Sequence, residues 1–123
     1  MKRQAKPILL PGSGDAGSIL SRCNLAERGH YNEDWVQELI NRYPEILPVS
    51  EIEPAFEVLV PVCRELPTQS GSLDNLLISS RGDIVLVECK LWRNPQARRE
   101  VVAQVMDYAK DLQQLGYEDF EGA

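Results

Sequence analysis

Histidine is nearly missing from this chain of 123 residues: His30 stands alone. The three cysteines, Cys23, Cys63 and Cys89, are scattered, and no two share a CxxC spacing. Together these scarcities exclude a zinc site of Cys and His ligands and a disulfide framework, and they leave His30 a surface or capping role. Long apolar runs are lacking as well. Nothing approaches the roughly 18 residues of a membrane span. Ile8-Leu9-Leu10 is too short for the core of a signal peptide, and Pro-Gly-Ser-Gly follows it. The cytoplasm is therefore the expected compartment. The Gly-rich stretch 11–18, PGSGDAGS, lacks the Lys-Ser/Thr ending of a phosphate cradle and reads as a turn or linker. There is no internal repeat, and the length suits one domain with one core.

An excess of positive charge is also lacking. The net charge is −6, whereas nucleic-acid binders are usually basic. Distribution matters more than the sum. From Lys90 to Arg99 the chain carries Lys90, Arg93, Arg98 and Arg99 and no acid. From Asp107 onward it carries Asp107, Asp111, Glu118, Asp119 and Glu121 against Lys110.

What is present is a pattern of alternating elements. Residues 6–10 suit a short strand. Residues 32–43 suit a helix: Asn32 caps it, Glu33 and Asp34 match the positive end of its dipole, and Pro44 stops it. Its apolar stripe is Trp35, Val36, Leu39, Ile40 and Tyr43. Residues 56–64 read as a strand, with Pro61 implying an edge or a bulge. Residues 73–79 and 83–91 form a hairpin around Ser80-Arg81-Gly82. The continuous apolar run IVLV predicts that its second strand is buried on both faces. Asn94 and Pro95 open a second helix that runs to about Leu115 before Gly116. Its apolar side is Ala97, Val101, Val102, Val105, Tyr108, Ala109 and Leu112. The order helix, strand, strand, strand, helix makes an α/β layer.

The chemistry lies in the hairpin. Side chains two apart on a strand share a face, so Glu88 and Lys90 project together and Cys89 points away. In an antiparallel hairpin Asp74, near the start of one strand, stands opposite the end of the next. Two carboxylates and an ammonium then converge at one sheet edge. Phosphodiester hydrolysis calls for that set: carboxylates for Mg²⁺ or Mn²⁺, and a cation to orient water and hold the phosphate. The plainer reading is an Asp74–Lys90 salt bridge closing the sheet.

The segment GSLDNLLISSRGDIVLVECKLWRNPQARREVVAQVMDYAKDL resembles the PD-(D/E)xK nuclease superfamily, in an uncharacterised bacterial branch. Asp74 matches the first acid of that motif, and Glu88 and Lys90 its ExK. Leu73 stands where the motif's name has proline. The resemblance implies a restriction-endonuclease-like core, a mixed β-sheet flanked by helices, over residues 31–115. Residues 1–30 are then an N-terminal extension and 116–123 an acidic tail. It implies Asp74, Glu88 and the backbone carbonyl of Cys89 as ligands of Mg²⁺ or Mn²⁺, and Lys90 as the catalytic cation. Gln104 matches a glutamine on the helix after ExK. Glu33 matches an acid of the family's first helix, with Gln37 its companion; Glu38 is a second candidate by position. Arg93, Arg98 and Arg99 would contact the nucleic-acid backbone.

The function implied is a metal-dependent nuclease, acting on DNA in repair or defence. The alternative is a non-catalytic nuclease-like module that binds nucleic acid or a protein partner. A homodimer is the assembly to test. The family core has one more strand after the second helix. Here only YEDFEGA follows, so the chain is a fragment, or that strand is missing or comes from a partner.

Overall fold

The structure is a computed structural model that describes residues 5–14, 16–21, 29, 31–90 and 95–121, without the side chains of 95–98, 117 and 120. Arg93, Asn94, His30 and Cys23 lie outside the described residues.

Helix α1 spans Glu33–Arg42, and its start follows the local chemistry. The Asn32 side chain accepts the Trp35 N–H at 2.9 Å, satisfying one of the donors a helix start leaves free. Tyr43 ends the helix before Pro44, which opens a 3₁₀ turn to Ile46. A one-turn helix α2, Val49–Ile52, and a second 3₁₀ turn, Pro54–Phe56, lead into the sheet. The strand expected from residue 56 begins later for that reason. Strand β3 spans Leu59–Thr68, β4 Gly71–Ser79 and β5 Ile84–Val87. N-terminal to all of these, β1 (Ile8–Leu9) and β2 (Ser18–Ile19) pair as a small hairpin closed by the Gly-rich turn. Helix α3 runs Pro95–Leu112, and a short α4 forms at Tyr117–Glu121, within the stretch read as a tail.

The main sheet has the order β3-β4-β5 and is antiparallel throughout, where a mixed sheet was expected. Short hairpin turns join both strand pairs, and such turns permit only antiparallel pairing; a parallel neighbour needs a long crossover. Pro61 sits at an edge strand and beside a register shift between Pro61 and Cys63, since it has no N–H for the ladder.

Two apolar clusters lie on either side of β4. Ile40, Leu77 and Cys89 pack together with Val36, Val85 and Val87 beneath α1. Leu66, Leu73, Leu76, Tyr108 and Leu112 pack beneath α3, with Cys63 and Leu86. Leu73, Leu76 and Leu77 are almost wholly enclosed, and each contributes about 1.5–3 kcal/mol on burial. Strand β5 is less enclosed than its IVLV run suggested: it is an edge, and Ile84 is 47% exposed. Val102 and Tyr43 also face outward, on parts of their helices that the three-stranded sheet is too narrow to cover.

Polar ties fix the helices to this sheet. Arg64 of β3 donates to three α1 side chains: Asp34 Oδ1 at 2.6 Å, Glu38 Oε2 at 2.9 Å and Gln37 Oε1 at 3.0 Å. Asn75 Nδ2 donates to the Gln37 carbonyl at 3.0 Å in a fully buried position. On the other face, the Tyr108 hydroxyl donates to the Ser72 carbonyl at 2.9 Å, and Asp111 Oδ2 accepts the Ser70 N–H at 2.8 Å. Gly71 has φ 136°, and a Cβ there would meet the Tyr108 hydroxyl at 3.2 Å, so glycine is required where the β3–β4 turn meets α3.

The Arg64 tie makes a prediction. Arg64→Ala removes all three bonds at once, leaves the buried Gln37 side chain without its donor, and should cost about 1–3 kcal/mol. Asp34→Ala removes a side chain that is mostly exposed, and should cost under about 1 kcal/mol. Urea unfolding of the two variants measures the difference.

Candidate active site

Strand pairing decides which charged residues meet. Asn75 pairs with Val87 at the end of β5, so the next residues, Asp74 and Glu88, are neighbours across the hairpin. The ladder stops there. The Cys89 N–H instead donates to Asp74 Oδ2 at 2.7 Å. Glu88 and Lys90, two apart, stay together: Lys90 Nζ lies 3.8 Å from Glu88 Oε1. The Glu88 side chain is only 3% exposed, whereas that of Lys90 is 38% exposed. Glu88 Oε2 is buried and has no hydrogen-bond partner among the described residues.

These acids sit against their electrostatic preference. Burial pushes the Asp74 carboxyl above the usual carboxylate range, against the pull of the Cys89 amide and Lys90, while Glu33 and Glu65 add to the push. Burial also raises Glu88, and the neighbouring charge of Asp74 raises it further; Lys90 and the Asp74 backbone oppose this, and Glu33 adds to it. The Cys89 thiol is pushed up to about 12, first by burial and then by the charges of Asp74, Glu88 and Glu33. It turns toward Asn75 Oδ1 at 3.9 Å, beneath α1. The thiol is thus set apart from the acids beneath α1, and the Cys89 backbone, whose N–H meets Asp74, is the part of the residue beside them.

Glu33, in the first turn of α1, contributes its charge to the shifts of Asp74, Glu88 and Cys89 as one of their smaller causes. Glu38 does not: it is held by Arg64 and, at 3.3 Å, by Arg42. Gln37 is buried between Arg64 and Asn75 and serves the helix–sheet junction. Gln104 donates to the Tyr108 hydroxyl at 2.7 Å, which in turn binds Ser72 two residues before Asp74. It therefore props the start of β4 from one step away. Arg99 is exposed near the start of α3, the side chain of Arg98 lies outside the described residues, and so does Arg93. One acid escaped the sequence reading. Glu65, on β3, stands opposite Asp74 of β4, and only knowledge of the β3–β4 register, with its shift at Pro61, could have placed it there.

Among the described residues no group of three or more His, Cys, Asp or Glu side chains is placed so that it could hold a metal ion. A hard cation that keeps several waters needs only one or two carboxylates. Asp74 and Glu88 supply two, and the unpartnered Glu88 Oε2 is an acceptor that such a cation would satisfy.

A pH prediction follows from the raised carboxyls. A carboxyl that titrates higher when folded binds protons more tightly in the native state, so its protonated form favours folding. Stability is then full below the ordinary Glu value of 4.5 and falls as pH rises through the elevated folded value. Glu88→Gln removes that loss. Without added metal, its melting temperature should exceed the wild type at pH 7.5, and the gap should close near pH 4. Thermal melts across pH measure this, and an equal gap at both values would refute the cause given. No protein family, characterised protein or solved structure matches this chain.

Proposed function

We propose that the chain is a metal-dependent nuclease of the restriction-endonuclease-like PD-(D/E)xK class, hydrolysing phosphodiester bonds in DNA in a repair or defence setting. One observation carries the reading. Glu88 is buried beside Asp74 and Lys90 with one carboxylate oxygen left unpaired. A buried unsatisfied carboxylate next to a like charge is costly to folding, and such groups cluster at functional sites. A salt bridge made only to close a sheet edge would not need the second acid or the unpaired oxygen.

Asp74, Glu88 and the Cys89 carbonyl are the groups that would hold Mg²⁺ or Mn²⁺ here. When bound, such an ion lowers the pKa of water and offsets charge developing on the phosphate. The Cys89 amide fixes one oxygen of Asp74, so that carboxylate is oriented before any ligand arrives. Lys90 is the exposed member of the set. Its ammonium can reach solvent while resting beside Glu88, where it can orient the attacking water and hold a non-bridging phosphate oxygen. Glu33, at the head of α1, would be the further acid that supports that water; its charge is felt by both Asp74 and Glu88. Gln104 acts through Tyr108 by keeping the start of β4 in place. Arg99, with Arg93 and Arg98, would hold the DNA backbone at the basic start of α3. The acids would repel phosphate without such a cationic approach.

Lys90 separates an enzyme from a binding module. Lys90→Arg keeps the charge but replaces a compact ammonium by a planar fork. Lys90→Arg and Lys90→Ala should both fold and bind Mn²⁺ and DNA, yet lose about a hundredfold or more of cleavage, the scale of one positioned catalytic group. The measurement is cleavage of linear, circular and single-stranded DNA with Mg²⁺ or Mn²⁺. Equal cleavage by wild type and Lys90→Arg removes Lys90 from the chemistry. A wild type that binds DNA but cuts none of these substrates with either metal points to the binding module.

A further inference from the structure

The stretch from Pro44 to Val62 is rich in apolar residues, with Phe56 and eight Val, Leu and Ile, yet none of its residues is buried. A 3₁₀ turn, the one-turn α2 and a second 3₁₀ turn carry it from α1 to β3. Ile52 is 82% exposed, and Val58 is 55% exposed. Leu47, Val49, Phe56 and Val58 line an open groove of about 290 Å³, with Glu45 and Glu57 on its walls. That volume stands at the lower limit of the roughly 300–1,000 Å³ of small-molecule pockets, so the groove suits a few protruding side chains. The stretch carries Glu45, Glu51, Glu53 and Glu57 and no Lys or Arg. Among the described residues none of Glu45, Glu51 and Glu57 has an ion-pair partner.

The N-terminal hairpin is the complement of this groove. Ile8 pairs with Ile19, and Leu10, two residues from Ile8, shares their face. Gly17 makes that face possible: a Cβ there would meet Leu10 Cδ2 at 2.6 Å and Ile8 Cγ2 at 2.9 Å. Ile8 is 60% exposed, Ile19 65% and Leu10 72%. A two-stranded hairpin is marginal by itself in water, and a contiguous exposed apolar surface marks a docking site. Its charge is opposite in sign to that of the groove. Residues 1–22 carry Lys2, Arg3, Lys6 and Arg22 against Asp15 alone, four cations to one acid in a chain of net charge −6. Within one copy the hairpin face stays exposed and the groove stays open. A molecule that carries both a basic apolar projection and an acidic apolar recess is self-complementary, as a two-fold dimer requires.

We propose that two copies of the chain form a dimer in which the N-terminal hairpin of each docks in the groove before β3 of the other. The face of Ile8, Leu10 and Ile19 covers the apolar groove, and the hairpin cations lie beside Glu45 and Glu57. Neither surface includes a residue of the candidate active site, so this interface stands or falls apart from the nuclease reading.

The test is sedimentation of the full chain across a range of micromolar concentrations. Wild type is compared with Leu10→Asp, with a hairpin variant (Arg3→Glu, Lys6→Glu) and with a groove variant (Glu45→Lys, Glu57→Lys). Lys6, Leu10, Glu45 and Glu57 are all exposed, so the variants should melt as the wild type does, which circular dichroism checks. The wild type should dimerise, and Leu10→Asp should weaken the dimer about tenfold or more, the scale of losing one central anchor. Each charge variant alone brings like charges together and should stay monomeric. An equimolar mixture of the two should dimerise, because every hairpin then meets a groove of opposite charge. A wild type that is monomeric throughout overturns the proposal. So does a Leu10→Asp chain, or a pair of charge variants, that dimerises as well as the wild type, since the interface then lies elsewhere. Charge variants that stay monomeric when mixed overturn it too, because their charges then act within one copy.

Discussion

A single guanidinium joins the first helix to the sheet. Arg64 sits in the middle of β3 and is gripped by Asp34, Gln37 and Glu38, which lie on consecutive turns of one face of α1. A planar fork with several donors suits this better than a lysine could, because one head group satisfies three acceptors at fixed angles. The tie fixes the rotation of α1 about its own axis. With Asp34 and Glu38 turned toward Arg64, Val36 and Ile40 face the cluster around Leu77, and the charge of Glu33 is felt at Asp74 and Glu88. The same grip holds the residue before Glu65, whose φ of 51° is the one positive φ among described non-glycine residues. The placement of acids on two different elements therefore depends on one residue that touches none of the proposed chemistry.

Against this rigid frame, the acids work against stability. Asp74 and Glu88 are both raised by burial, and neither is fully neutralised by Lys90. Proteins commonly place such unfavourable groups where they act and hold them with well-packed surroundings. The surroundings here are Leu73, Leu76 and Leu77, which flank Asp74 and Asn75 on β4 and are nearly inaccessible.

Local chemistry was legible in the sequence and lateral arrangement was not. Asn32 capping, the stop at Pro44, the turn at Gly82 and the pairing of Asp74 with Glu88 all depend on residues close in the chain or joined by a tight hairpin. Those rules operate over a few residues. Whether β5 lies inside the sheet or at its edge depends on what pairs beyond it, and the IVLV run carries no information about that. The different surroundings of Glu33 and Glu38 were equally out of reach: both flank the helical stripe, and Arg64, on a strand far along the chain, holds Glu38. Glu65 was hidden for a related reason. A register shift at Pro61 and a left-handed residue inside a strand both break the alternation on which strand reading relies.

The thiol next to the acids has a consequence for oxidative stress. Cys89 lies between Glu88 and Lys90 in the chain, yet it is buried, and with its pKa at about 12 only about one molecule in a hundred thousand carries the thiolate at neutral pH. Peroxides and disulfides react with the thiolate, so the first step of cysteine oxidation is closed off here. Burial first, and the charges of Asp74, Glu88 and Glu33 after it, thus disfavour the thiolate of the sulfur that sits beside these acids.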